Sequence, residues 1–292
     1  MGGESEEKRL DGFCLKDFSM KERTAFGVGG KAKYAFFPEN TDEFSLCIRA
    51  AQRENLPVAV LGRASNVIVS DCGFKGVAIF TAKMNALSVS DTTVYAECGV
   101  SCAALLEFCR LHDLSGAEFL SGIPASVGGM TVMNAGAFGK EMSSLVGAVW
   151  VLDGGVRRIL PEECGFSYRS SRLGSDLPVI GTELKLARGY DEAFVEKIRR
   201  IRKEKQPEGR TFGSTFRNGD GFYAGELIER AGLKNFTVGG AAVSGVHANF
   251  IVNQGNATAA DVRELIGYIK KKVKALFGVT LAEEVRFLGD FS

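Results

Sequence analysis

Histidine, proline and tryptophan are scarce in this 292-residue chain: two His, six Pro and one Trp. With only His112 and His247, a histidine-rich metal centre is excluded, and no metal is expected. A charge surplus is missing too. Lys and Arg number 36 against 35 Asp and Glu, a formal charge of +1, which argues against broad electrostatic binding to nucleic acid. No apolar run approaches the roughly 18 residues of a membrane span. The opening MGGESEEKRLDGF has no apolar core of a signal peptide, and Glu6 stands where a myristoylation signal needs Ser or Thr. Neither G-x-x-x-x-G-K-[ST] nor G-x-S-x-G occurs, which removes the P-loop and the serine-hydrolase elbow. The seven cysteines are scattered and odd in number, a pattern of reduced thiols. These absences predict a cytoplasmic, soluble protein with no nucleic-acid or membrane partner.

What is present is a chain 45% hydrophobic and 24% charged, with 36 glycines. That composition suits a large buried core without disulfides. The length predicts two domains, or one two-lobed domain with an appendage. Residues 1–23 are polar and are expected to dock loosely or wander. Then come a strand-like run within 31–40 that ends at Pro38, further short strands (57–62, 67–70, 76–80, 93–98, 148–153, 178–187) and two capped helices. Asn40 with Glu43 starts one, carrying Phe44, Cys47, Ile48 and Ala51 at helical spacing; Ser101 starts the other. A charged helix covers 190–210, and the composition shift there predicts a boundary near 190–195. Helices over 224–232 and 259–277, strands over 250–253 and 283–289, and a Thr258/Asp261 capping box complete an α+β unit.

Some tempting signals are weak. GVGGKA (27–32) matches a dinucleotide fingerprint, but no strand precedes it and no helix follows. Cys98, Cys102, Cys109 and His112 fit no zinc spacing and read as core packing. Lys270, Lys271, Lys272 and Lys274 read as a solvated helix face near a C-terminus.

The stretch 122–139, GIPASVGGMTVMNAGAFG, is glycine-rich and almost uncharged, unlike an exposed linker. It suggests backbone pressed against a ligand. Taken in order with RTAFGVGGKA (23–32), LGRASNVIVS (61–70), FSYRSSRL (166–173), GSTFRN (213–218), HANFIVN (247–253) and EEVRFLG (283–289), it resembles the UDP-N-acetylenolpyruvoylglucosamine reductase family over about residues 25–290. The resemblance implies an α+β fold. An FAD-binding domain of the vanillyl-alcohol-oxidase/p-cresol-methylhydroxylase type would span 24–192. A C-terminal substrate domain would span 193–292, its last strand returning to the active site. The short stretch between 190 and 213 resembles the shorter class, which lacks a tyrosine loop.

The family implies NADPH-driven reduction of UDP-N-acetylglucosamine enolpyruvate through FAD, for peptidoglycan synthesis, by a monomer. Hydride addition to the enolpyruvyl CH₂ leaves a carbanion beside a carboxylate, which needs preorganised positive charge and a proton donor. The resemblance assigns the donor to Ser214 and enolate stabilisation to Arg169 and Glu284, the last with a raised pKa. It places FAD on Gly62, Arg63, Ala64, Ser65 and Asn66, on Gly122, Ile123, Pro124, Ser126, Val127, Gly128 and Gly129, and on Asn134, Ala135, Gly136 and Ile180. Glycine-turn amides would bind its diphosphate in a nearly neutral cradle. Arg217 and Asn218 would grip the substrate diphosphate, with Gln254 nearby.

Two positions depart from the family pattern. Ala64 replaces a glycine, at about 1 kcal/mol if positive φ is required there. Gly219 replaces a proline, which would loosen the substrate loop. Two other readings stay open: an FAD-linked oxidase using oxygen on the same scaffold, and a non-catalytic module that binds a flavin or a nucleotide sugar.

Overall fold

The alternating strands of the first 190 residues leave apolar side chains on single faces, and two large sheets bury them, with a third sheet built from later residues. The computed structural model describes residues 9–291. A four-stranded sheet runs in the order Leu15–Ser19, Lys31–Phe36, Phe74–Phe80 and Val58–Leu61. Its outer hairpin-like pair is antiparallel, and the other two pairings are parallel. A five-stranded antiparallel sheet follows the order Val156–Ile159, Val146–Leu152, Val179–Lys185, Thr93–Glu97 and Leu87–Ser90. In Val179–Lys185 the alternation has a direct outcome: Thr182 and Leu184 are fully buried. The third sheet, Thr211–Ser214, Phe250–Asn253, Ala241–Val243 and Thr237–Val238, is antiparallel throughout.

Helices start where short polar side chains can accept from free amides. Helix α1, Thr41–Arg53, begins with Asn40 Oδ1 accepting from Glu43 N at 2.9 Å. Helix α2, Cys102–Leu111, is capped by Ser101, which accepts from Ala104 N. Its Cys102 and Cys109 are buried in the core, as free thiols are on packing grounds. Helix α3, Val127–Val132, is capped by Ser126. Helix α4 is Glu192–Lys205, and α5 is Ala224–Arg230. Helix α6, Ala259–Phe277, has the Thr258/Asp261 capping box and ends at Gly278 with φ of 71°. Of its expected apolar stripe, Val262, Leu265, Ile266, Ile269 and Val273 are buried, whereas Leu276 in the last turn is exposed.

Two expectations are corrected. Residues 9–23 do not dock loosely: Leu15–Ser19 is an edge strand, and Leu10 and Met20 are fully buried. Two apolar anchors flanking a polar strand are enough to hold it. The part of that segment before residue 9 lies outside the described residues. The glycine-rich run, read only as backbone around a ligand, contains α3. Two glycines weaken a helix, but the Ser126 cap and the buried Val127, Met130 and Thr131 hold this one.

The core forms three clusters. One lies under the five-stranded sheet, one under the four-stranded sheet, and one around α6. Phe26, Val28 and Ile68 belong to the last, with Phe212, Leu265 and Val285. The chain's final strand, Arg286–Leu288, pairs in parallel with Val67–Val69. This pairing brings the last strand of the chain against the strand that follows the turn at 62–66.

Candidate active site

A cavity of about 470 Å³ lies where these units meet. Most of its wall comes from three stretches, 60–67, 122–136 and 202–214, and Arg169, Glu284 and Arg286 are among the residues that join it from elsewhere.

The first stretch leaves the strand Val58–Leu61 and turns sharply. Ala64 has φ of 46°, the left-handed conformation in which a side chain is strained. Among the described residues, the amides of residues 63–66 donate to no protein acceptor. Free amides in a turn of this kind can receive an anion. Gly62 is required by space, since a Cβ there would lie 2.0 Å from Ser126 Oγ. Asn66 ties the turn to the chain's end: its Nδ2 donates to Glu284 O at 3.1 Å, and Arg286 N donates to its carbonyl at 3.1 Å.

The second stretch folds tightly through Gly122, with φ of 78°. At Gly128 a Cβ would lie 2.8 Å from Cys98 Cβ and 3.0 Å from its carbonyl. Ser126 Oγ accepts from Gly129 N at 3.3 Å. The glycines therefore let the backbone itself form the wall.

The three residues assigned to catalysis share this cavity. Ser214 ends the strand Thr211–Ser214, after Gly213 with φ of 83°. Its neighbour Thr215 accepts from Glu284 N at 2.8 Å, and Phe216 bridges Glu283. That short ladder places Glu284 beside Ser214. Arg169 sits at the tip of a tight turn closed by Ser167 and Ser170, with φ of 55°. Its Nη2 donates to Gly136 O at 2.7 Å, and its Nε lies 3.2 Å from Glu284 Oε1. That last contact is an ion-pair distance without hydrogen-bond alignment. Burial pushes the Glu284 carboxyl above its ordinary value and outweighs the attraction of Arg169 and Arg217.

The residues expected to bind FAD divide into two groups. Gly62, Arg63, Ala64, Ser65, Asn66, Gly122, Ile123, Pro124, Ser126, Gly128, Gly129, Ala135 and Gly136 line the cavity. Val127, Asn134 and Ile180 stand behind it. Val127 is core, and Ile180 O accepts from Cys98 N at 2.8 Å. Asn134 donates to Glu141 and to Ser167 O, and accepts from Ser143 N, so it fixes the turn that carries Arg169. Arg217, Asn218 and Gln254 are not on the wall. Arg217 is close enough to Glu284 to lower its pKa. Asn218 Oδ1 accepts from Ala224 N at the start of α5. Gln254 is exposed.

Sequence reasoning missed uncharged wall residues such as Thr81, Cys98 and Gln206, and two charged ones, Arg202 and Arg286. For Arg286 a signal existed: in an extended Glu-Val-Arg, residues two apart share a face, and Val285 between them is buried in the core. Arg202 lies in a helix so rich in charge that nothing singles it out. Their presence corrects the expectation of a nearly neutral cradle. Among the described residues the wall carries Arg63, Arg169, Arg202 and Arg286 against one carboxylate, Glu284. Strand periodicity and loop turns bring these arginines together, whereas whole-chain charge averages them away. A basic, glycine-walled cavity with unpartnered amides suits a dinucleotide diphosphate.

Comparison with known proteins agrees with this donor set. Residues 205–288 match the family model described as UDP-N-acetylenolpyruvoylglucosamine reductase, C-terminal domain, and residues 32–157 match an FAD binding domain. The UDP-N-acetylenolpyruvoylglucosamine reductase of Caldanaerobacter subterraneus subsp. tengcongensis is 41% identical over 278 residues, covering 93% of this chain and 92% of that protein. The protein of the same name from Streptococcus pneumoniae (strain Hungary19A-6) is 39% identical, covering 90% of each. The crystal structure of UDP-N-acetylenolpyruvylglucosamine reductase from Thermus caldophilus superposes with a TM-score of 0.80 at 33% identity, covering 94% of this chain and all of that one.

Proposed function

The chain belongs to the UDP-N-acetylenolpyruvoylglucosamine reductase family, and from that premise we propose that it reduces UDP-N-acetylglucosamine enolpyruvate to UDP-N-acetylmuramate with NADPH, in peptidoglycan synthesis. It is an FAD-dependent oxidoreductase with an α+β fold. One observation carries the reading: Arg169, Ser214 and Glu284, distant in sequence, line one cavity beside a glycine-walled, basic cradle.

The chemistry supplied by bound FAD is a hydride relay from NADPH to the terminal carbon of the enolpyruvyl group. The turn at 62–66 and the stretch 122–136 would hold the cofactor, with free amides toward its diphosphate. The chain's own side chains handle the charge that follows. Once the terminal carbon gains hydride, the electron pair of the double bond rests on the carbon beside the substrate carboxylate. Arg169 stabilises the resulting dianionic enolate through its guanidinium. Glu284, whose carboxyl burial pushes above its ordinary value, donates a hydrogen bond to the same group from its protonated form. Ser214 Oγ–H delivers the proton to the carbon, which is basic enough to take it from a hydroxyl, and the serine is reprotonated from solvent. We assign Arg217 and Asn218 to the substrate diphosphate, and Gln254 to the substrate, although none of the three lines the cavity wall.

We divide the chain into a segment 1–23, an FAD-binding domain 24–192 and a substrate domain 193–292. The matched ranges 32–157 and 205–288 support that division. A cytoplasmic location fits seven free thiols, and action as a monomer is carried over from the family resemblance. No helix among the described residues is long and apolar enough to cross a membrane.

A product assay tests the activity. Incubated with NADPH and the enolpyruvyl sugar nucleotide, the protein should form UDP-N-acetylmuramate, one per NADPH oxidised. NADPH consumption that tracks oxygen instead, with no lactyl ether formed, would refute the proposal and favour the oxidase.

A further inference from the structure

Arg202 is the one cavity cation whose position no motif explains. It stands in the last turn of α4 with Lys203 and Lys205. Those two lysines are exposed and suffice for the favourable effect of cations at a helix C-terminus. Arg202 instead turns inward. Its Nε is completely buried and has no hydrogen-bond partner. Its Nη1 reaches only Gln206 Oε1, at 3.5 Å. Gly122 makes room for the side chain, since a Cβ at that position would lie 2.7 Å from Arg202 Cδ.

Among the described residues no carboxylate compensates this charge. The groups that act on Arg202 are Cys102 and Arg169. Burial pushes the Cys102 thiol up to about 12, so it is neutral, and Arg169 is a second cation. Burial and Arg169 both work against the charge on Arg202. An unpaired guanidinium out of water is strongly unfavourable unless a ligand supplies the missing negative charge.

Two negative groups of FAD could do so: the diphosphate, and the ring once it has been reduced. The turn at 63–66 already offers the diphosphate unpartnered amides. Arg202 lies within electrostatic reach of Arg169, which is at the reacting end with Ser214 and Glu284. We infer that Arg202 stabilises the negative charge that reduction leaves on the cofactor's ring. NADPH gives up a hydride, becoming NADP⁺, and the neutral ring gains that hydride together with one unit of negative charge. A fixed cation facing that charge holds the reduced form more tightly than the oxidised one. Arg202 thereby raises the reduction potential of the bound cofactor. The inference rests on the reading that this cavity holds FAD.

The test compares the FAD-loaded wild type with Arg202→Met, Arg202→Gln and Arg202→Lys. Flavin fluorescence gives the affinity for oxidised FAD, and dye-coupled reductive titration gives the midpoint potential. For Arg202→Met, affinity for the reduced form should fall about a hundredfold more than affinity for the oxidised form. That corresponds to a potential lower by about 60 mV, at about 30 mV per tenfold for a two-electron couple. Arg202→Lys, which keeps the charge, should recover most of the shift. Arg202→Gln repeats the uncharged arm if the Met variant does not fold. Equal loss for both redox forms, with the potential unchanged, would assign Arg202 to the diphosphate and overturn the inference. No change in either quantity would make it a packing residue and overturn it equally. If the wild type takes up no FAD, the reading of the cavity fails and this inference falls with it; if only the variant arms disagree, the cavity reading stands.

Discussion

Arg169 Nε lies 3.2 Å from Glu284 Oε1, inside a cavity where burial nonetheless favours the protonated acid. The pair is held by backbone rather than by its own attraction. Arg169 projects from a strained turn, and Glu284 is fixed by Thr215 and Asn66 on either side. Each partner is therefore present before substrate arrives, as preorganised stabilisation of developing charge requires.

Glu284 should act as a neutral acid, so activity should depend on pH with a definite sign. Its pKa is raised above 4.5 by burial. The neutral form is complete below 4.5 and is lost as pH rises through the higher folded value. The substrate half-reaction should therefore decline on the alkaline side of that value. In Glu284→Gln, an amide that cannot ionise still donates a hydrogen bond, and this decline should flatten. Stability follows the same sign, since ionising the buried group disfavours the folded state. The apoprotein of Glu284→Gln should lose less stability than wild type between pH 4.5 and neutrality. Rapid-mixing rates and urea melts across pH check both; an unchanged alkaline limb in the variant would remove Glu284 from this role.

Ser214→Ala should separate the two halves of the reaction. NADPH should still bleach the flavin, because Ser214 takes no part in that transfer. Reoxidation by the enolpyruvyl substrate should fall by orders of magnitude. Normal reoxidation in this variant would show that another group supplies the proton. Arg169→Met should lower the chemical step rather than only raise KM.

Ala64→Gly should stabilise the protein. With φ at 46° and the side chain buried, Ala64 holds a conformation that glycine adopts without strain, a difference of about 1 kcal/mol. Urea unfolding of the apoprotein measures it, and an unchanged or lowered midpoint would contradict it.

Gly62→Ala should do the reverse at the cofactor. Its Cβ would sit 2.0 Å from Ser126 Oγ and 2.9 Å from Ser126 Cβ, so the buried cap of α3 must move. FAD affinity should drop at least tenfold, the equivalent of about 1.4 kcal/mol. Equilibrium fluorescence checks it, and wild-type affinity would show that the two walls part without consequence.

Much of this was readable from residues alone. Asn40, Ser101 and Thr258 announce their helices because capping is local chemistry, and the stripe of α6 has a helical period. The GSTF, YRSS and EVRF segments could be gathered by resemblance. Their meeting point could not be derived, because it depends on the parallel pairing of Arg286–Leu288 with Val67–Val69, a contact between segments far apart in the sequence. The strand at Leu15–Ser19 was hidden by its polar composition, and α3 by its glycines. Arg202 was invisible for another reason: one inward-turned cation among nine charged side chains of α4 differs from its neighbours only in direction.

The central claim is that one cavity accepts electrons from NADPH and spends them on an enolpyruvyl ether. An anaerobic spectrum of the purified protein tests it most directly. Flavin absorbance should be present, should vanish on one equivalent of NADPH, and should return on adding the enolpyruvyl sugar nucleotide, with oxygen absent throughout. A protein unable to take up FAD, or a bleached spectrum that only oxygen restores, would contradict the account.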